Sequence, residues 1–308
     1  MSTLDVLTEL RVHLEKQPIL ELDKELDSIR KLEPSLYRPS DALAIEEVQI
    51  CAQRTARIYR PLNCQDELLP GVFWIHGGGY VLGHPQCEDQ MCAKLALEVP
   101  CIIVSLDYRL APEYPYPAGL EDCYTGLKWL FECASTLGVD RKRIAIAGPS
   151  AGGGLTAALT LLVRDRGEVS VSFQMPLYPM IDHRNENLSN QEITKKTMPK
   201  AWNKDLNAIA WDMYLKDVDR AHVPIYASPA LEKRLEGLPP TYTCVGQLDP
   251  FRDETIDYVQ RLAQAGVPVE FHLYPGCYHG FDALGEETEV SKMANDMYVK
   301  VLKKAFYK

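Results

Sequence analysis

Five consecutive residues, Gly148-Pro149-Ser150-Ala151-Gly152, spell G-x-S-x-G between an apolar run, Ile144 to Ala147, and a helical run from Gly153 to Arg164. A serine on so tight a strand-to-helix turn is pushed clear of the backbone, and bulkier residues two before or two after it would clash. The helix that follows brings its positive dipole end toward the hydroxyl. A serine hydroxyl is a poor nucleophile until a neutral imidazole takes its proton, so the chemistry these residues imply is acyl transfer. A second motif, His76-Gly77-Gly78-Gly79-Tyr80, follows the apolar run Val72 to Ile75. Three glycines in a row are entropically unfavourable. They make sense where backbone N–H groups must turn toward a developing negative charge. The N–H groups of Gly77, Gly78 and Ala151 are therefore the expected oxyanion hole, with His76 as an anchor of the loop rather than a base.

The base must come from seven histidines, at 13, 76, 84, 183, 222, 272 and 279. His13 lies in an N-terminal helical stretch, His183 and His222 in a long insertion, and His272 inside a strand-like run. His279, in Gly276-Cys-Tyr-His-Gly-Phe281, follows the last apolar run, where parallel sheets place their catalytic groups. The carboxylate that orients it should follow the preceding run. There Asp249 stands before Pro250, which holds it extended ahead of a helix. Asp253, one turn later, reads as a charge at that helix's N-terminus. The relay is thus Ser150, Asp249, His279, with Asp249 fixing the imidazole tautomer.

These groups need a scaffold. Residues 3–33 are helical by spacing, broken at Pro18 and ended by Glu33-Pro34, and short β-like runs follow at 44–50 and 55–59. Pro61 to Pro70 is a polar connection containing Asn63, Asp66 and Glu67. Apolar runs at 72–75, 101–106, 143–147, 172–175, 241–245 and 269–274 then alternate with helices at about 88–98, 119–136, 151–164, 252–265 and 287–306. That rhythm predicts an α/β fold with a largely parallel sheet covered on both faces. Residues 181–235 interrupt it and carry an amphipathic helix, Asp205 to Leu215. An insertion of that length reads as a functional lid. Tyr80, Trp202, Trp211, Met213 and Tyr214 are candidates for the substrate pocket, with packing of the lid helix as the competing role.

Composition narrows the class. The chain has 308 residues, 46% hydrophobic and 25% charged, and 43 acidic against 33 basic side chains give a net charge of −10. Such a chain repels phosphate backbones and anionic membrane surfaces, which argues against nucleic-acid partners and stable membrane association. No run approaches the 18–20 apolar residues of a spanning helix, and no basic leader precedes an apolar stretch. The Asn187-Leu-Ser189 sequon means nothing without secretion. Nine cysteines without regular spacing show no metal-binding pattern and read as reduced, mostly buried thiols of a cytoplasmic protein. Cys277, two residues before His279, is expected to be a bystander.

Together these motifs resemble the hormone-sensitive-lipase-like carboxylesterases of the α/β-hydrolase superfamily. The match runs over roughly residues 70–285, with Tyr108-Arg-Leu-Ala-Pro-Glu113, Asp249-Pro-Phe-Arg-Asp253 and His279-Gly-Phe281 in family order. The resemblance implies the α/β-hydrolase fold: a mostly parallel eight-stranded sheet flanked by helices, with a helical cap. Residues 1–45 and 181–235 would form the cap, and 46–180 and 236–308 the catalytic core. It implies cofactor-free, metal-free hydrolysis of small carboxylic esters with short to medium acyl chains. It also suggests a homodimer through the last strand or helix. Arg109 and Glu113 would pin a loop below the site through ion pairs. One departure is Pro149, where the family commonly has Asp; the acyl-pocket wall should differ there. An amidase or deacetylase would use the same groups, and sequence separates it poorly from an esterase. A non-catalytic small-molecule receptor on this scaffold would be expected to have lost the histidine.

Overall fold

The computed structural model describes residues 4–32, 37–64 and 68–307. The expected helix end at Glu33-Pro34, and Asp66 and Glu67 of the polar connection, lie outside the described residues. Eight strands form one sheet: β1 (Leu43–Cys51), β2 (Arg54–Pro61), β3 (Leu69–Ile75), β4 (Ile102–Leu106), β5 (Val139–Pro149), β6 (Phe173–Leu177), β7 (Thr241–Leu248) and β8 (Val269–Tyr278), in the order β1-β2-β4-β3-β5-β6-β7-β8. β1 and β2 pair antiparallel, as do β2 and β4, and every other pairing is parallel.

Burial on both faces explains why the central runs are continuously apolar. Side chains alternate along a strand, so Val72 and Trp74 of β3 join Ala145, Ala147 and Met175 in one core layer. Phe73 and Ile75 join Ile144, Ile146 and Val104 in the other. The helices covering these layers are α3 (Asp89–Glu98), α4 (Ala118–Glu132), the single turn α5 (Ala134–Leu137), α6 (Ala151–Arg166), α9 (Arg252–Gln264) and α11 (Glu289–Phe306). One helix expected over 119–136 is two, because the chain turns at Cys133. β5 begins earlier than its apolar run, since Val139 already pairs with Leu69.

The rest lies over the C-terminal ends of the parallel strands. It comprises α1 (Thr8–Lys16) and α2 (Leu22–Arg30) from the N-terminal segment, and α7 (Leu188–Glu192) and α8 (Lys204–Tyr214) from the insertion, with the short α10 (Phe281–Leu284) beneath. The two segments meet: α2 packs on α8, Lys200 donates to the Glu15 carbonyl, and Lys195 lies 3.6 Å from Glu21. β1 starts at Leu43, so the boundary expected at 45 falls inside a strand. Among the described residues no helix is long and apolar enough to cross a membrane. The thiols are less uniform than expected. Five are buried, Cys64 and Cys133 are partly buried, and Cys51 and Cys87 are exposed.

Candidate active site

Ser150 sits between β5 and α6 with φ 57° and ψ −120°, a conformation rare for a residue with a side chain. Its surroundings enforce it. The Ser150 N–H donates to the Leu177 carbonyl at 2.9 Å, and its own carbonyl accepts from Gly154 at 2.9 Å and Met180 at 3.0 Å. Strain of this kind persists only where neighbours over-determine it, as at active sites. The flanking glycines are required by contact. A Cβ on Gly148 would stand 2.2 Å from the Ile75 carbonyl oxygen.

The loops after β7 and β8 bring the other two groups to the serine. His279 Nε2 lies 2.8 Å from Ser150 Oγ, and His279 Nδ1 lies 2.7 Å from Asp249 Oδ2. Asp249 is fully buried, and its Oδ1 accepts from the Phe251 N–H at 2.8 Å, which fixes the carboxylate at the start of α9. A carboxylate only accepts, so Nδ1 carries the proton and Nε2 faces the hydroxyl as an acceptor. The imidazole is held edge-on by Phe251 and Tyr178, at ring separations of 4.9 and 5.1 Å. Asp253 takes no part in this relay; it binds the Ser189 N–H and Arg252.

The glycine loop follows β3. His76 is buried, stacks on Tyr108 at 4.2 Å and donates from Nδ1 to the Gly77 carbonyl, and burial pushes it down to about 4. It therefore stays neutral and anchors the loop. One oxyanion donor needs correction. The Gly77 N–H is engaged by Glu88 Oε1 at 3.3 Å. The N–H groups of Gly78, Gly79 and Ala151 donate to no protein acceptor among the described residues.

These elements enclose a cleft of about 390 Å³, lined by Ser150, His279, Pro149, Tyr178, Trp202, Leu206 and Leu20, among others. Of the aromatic candidates only Trp202 lines it. Tyr80 lies behind, its hydroxyl donating to the Met180 carbonyl at 2.6 Å and its ring stacked on Tyr214 at 4.1 Å. Trp211 and Tyr214 are buried against Tyr80, and Met213 packs partly buried on the same core layer. The apolar stripe of α8 is thus mainly a packing surface. Leu20, Tyr178, Leu206 and Glu88 line the cleft without having been singled out. Leu206 belongs to the periodic stripe of α8, but Tyr178 stands in an irregular segment after β6 and Glu88 at the start of the helix expected over 88–98, where nothing in the spacing points to the cleft.

A family model described as alpha/beta hydrolase fold matches residues 72–283. The chain belongs to the alpha/beta hydrolase family. Within it, the chain is 38% identical over 231 residues to "Esterase LipI" of Mycobacterium tuberculosis, covering 73% of this chain and 70% of that one. It is 36% identical over 256 residues to "Carboxylesterase NlhH" of the same species, covering 82% and 78%. Among solved structures, "Bacterial Heroin Esterase" superposes with a TM-score of 0.91 at 31% identity over the whole of both chains.

Other features of this alpha/beta hydrolase bear on the site indirectly. Pro149 forms part of the cleft wall beside the nucleophile. Arg109 grips Asp122 through two bonds of 2.8 Å, and Glu113 pairs at 2.8 Å with Arg30, which also donates to the Val81 and Ala111 carbonyls. Arg30 lies in α2, so that pair ties the N-terminal segment to the loop below the site. Cys277 is fully buried, and burial pushes its thiol up to about 12. It is off the cleft; Cys87 is the cysteine on its wall.

Proposed function

We propose that this chain is a serine carboxylesterase acting on esters with short to medium acyl chains. The observation that carries the reading is the unbroken relay from Ser150 Oγ through His279 to Asp249, at 2.8 and 2.7 Å, opening on a cleft beside unengaged backbone donors. Ser150 attacks the ester carbonyl as His279 Nε2 takes its proton. The oxyanion is received by the N–H groups of Gly78, Gly79 and Ala151, each worth about 3–4 kcal/mol to the transition state. His279 then returns the proton to the leaving alcohol, and a water molecule repeats the sequence on the acyl-enzyme. Asp249 stabilises the imidazolium without taking its proton. No step calls for a metal or cofactor. The relatives named esterase and carboxylesterase support the reaction class, and the modest cleft supports small substrates.

A cytoplasmic setting belongs to the same reading, in keeping with nine unpaired thiols. So does a homodimer through β8, the last strand of the sheet, which light scattering would test. The reaction itself is tested by Ser150→Ala with p-nitrophenyl butyrate. The variant should lose at least about 10³-fold in kcat, and activity within tenfold of wild type would contradict the assignment.

A further inference from the structure

The cleft wall beside the glycine loop holds an acidic group that this mechanism does not use. Glu88 ends the Pro85–Glu88 turn just before α3 and lines both the catalytic cleft and a second hollow of about 830 Å³ that shares its wall there. Its Oε1 accepts one long bond from Gly77. Its Oε2 has no hydrogen-bond partner among the described residues, and the residue is only partly buried. Asp282, on the wall of that second hollow, is 3% exposed; its Oδ2 accepts from Tyr178 and Tyr298, and its Oδ1 has no partner among the described residues. No lysine or arginine among the described residues pairs with either carboxyl. The Lys200 ammonium on the cleft wall is engaged by the Glu15 carbonyl.

A carboxyl held away from water needs a counter-charge or full hydrogen bonding; among the described residues buried Asp282 has two tyrosine donors and partly buried Glu88 one long N–H bond, and neither has a cationic partner. Burial accordingly raises Glu88 to about 7. A cation entering the cleft would complete the arrangement. We propose that Glu88 is a specificity-determining residue whose free carboxylate oxygen receives a protonated amine carried by the ester, so that amine-bearing esters are the preferred substrates. The inference rests on the esterase reading and deepens it.

Two isosteric pairs test it: 2-(dimethylamino)ethyl butyrate against 3-methylbutyl butyrate, and ethyl 4-(dimethylamino)butyrate against ethyl 5-methylhexanoate. Each pair differs in one centre, a protonated nitrogen or a neutral carbon, on the alcohol or the acyl side. For at least one pair wild type should favour the cationic member by about tenfold or more in kcat/KM, the scale of a charged hydrogen bond. Glu88→Gln keeps the shape and the acceptor for Gly77, and should bring that ratio to within about threefold of unity. A net charge of −10 attracts cations to the whole molecule and is nearly unchanged in the variant. A preference that survives in Glu88→Gln therefore overturns the proposal. So does a wild-type ratio near one for both pairs, a result read without the variant and independent of its folding. Hydrolysis of neutral esters without cationic preference refutes only the role of Glu88; no hydrolysis of any of the four refutes the esterase reading with it.

Discussion

Gly152 passes so close to the Ile75 carbonyl that a Cβ added to it would stand 2.0 Å from the oxygen, with the His76 oxygen at 2.6 Å. Both neighbours are backbone atoms of β3 and the glycine loop, so neither can swing aside. The nucleophile turn and the oxyanion loop are thereby locked together.

Gly152→Ala should abolish folding or cut activity by at least about a hundredfold, because relief of the clash must displace the loop that holds the oxyanion donors. Gly266→Ala is the control. It has φ +77° with nothing within 4 Å among the described residues, and should cost only about 1–2 kcal/mol. Soluble yield, a thermal melt and p-nitrophenyl butyrate turnover compare the two. Equal effects would remove the argument from contact.

Asp249 acts through the orientation and tautomer of His279. Asp249→Asn keeps the size of the side chain but allows the imidazole to reverse its proton, so kcat should fall by about 10⁴ with the fold intact. A variant retaining more than a tenth of wild-type kcat would show that the 2.7 Å contact is not part of the catalytic relay.

Trp202 and Trp211 should separate binding from stability. Trp202 lines the cleft, whereas Trp211 is 2% exposed and packed against Tyr80 and Tyr214. Trp202→Ala should raise KM several-fold with a small change in stability. Trp211→Ala should lose about 3–5 kcal/mol in denaturant unfolding. The reverse pattern would put the substrate against Trp211 and not Trp202.

Much of this was legible beforehand, for identifiable reasons. Strands buried on both faces, such as β3 and β5, must be continuously apolar, so their runs stand out. The relay residues were legible because Ser150 and Asp249 follow buried strands and His279 follows the half-buried edge strand β8, all at the end of the sheet where parallel strands terminate. The aromatic residues of α8 were ambiguous: Trp211 and Trp202 are alike in type and differ only in what covers them. Assigning Gly77 as an oxyanion donor missed Glu88 because the bond between them spans eleven residues through an irregular turn. Nothing in the glycine run itself distinguishes the engaged N–H from the unengaged ones.

Glu88 also gives a stability signature. Burial raises its carboxyl from 4.5 to about 7, so the folded chain holds that proton more tightly than the unfolded one. This contribution falls as pH rises from about 4.5 to about 7 and then levels, by up to ~3 kcal/mol. Glu88→Gln removes that slope. Its melting temperature relative to wild type should therefore rise between pH 5 and pH 8, and a difference that stays flat or falls would contradict a desolvated carboxyl without a counter-charge.

The central claim is a covalent acyl group on Ser150. Wild-type protein mixed with p-nitrophenyl butyrate and acid-quenched before steady state should carry one butyryl group by intact mass, and peptide mapping should place it on Ser150. Ser150→Ala should carry none, and Asp249→Asn should accumulate it more slowly. Turnover with the butyryl group on another residue, or full labelling of Ser150→Ala, would contradict the account.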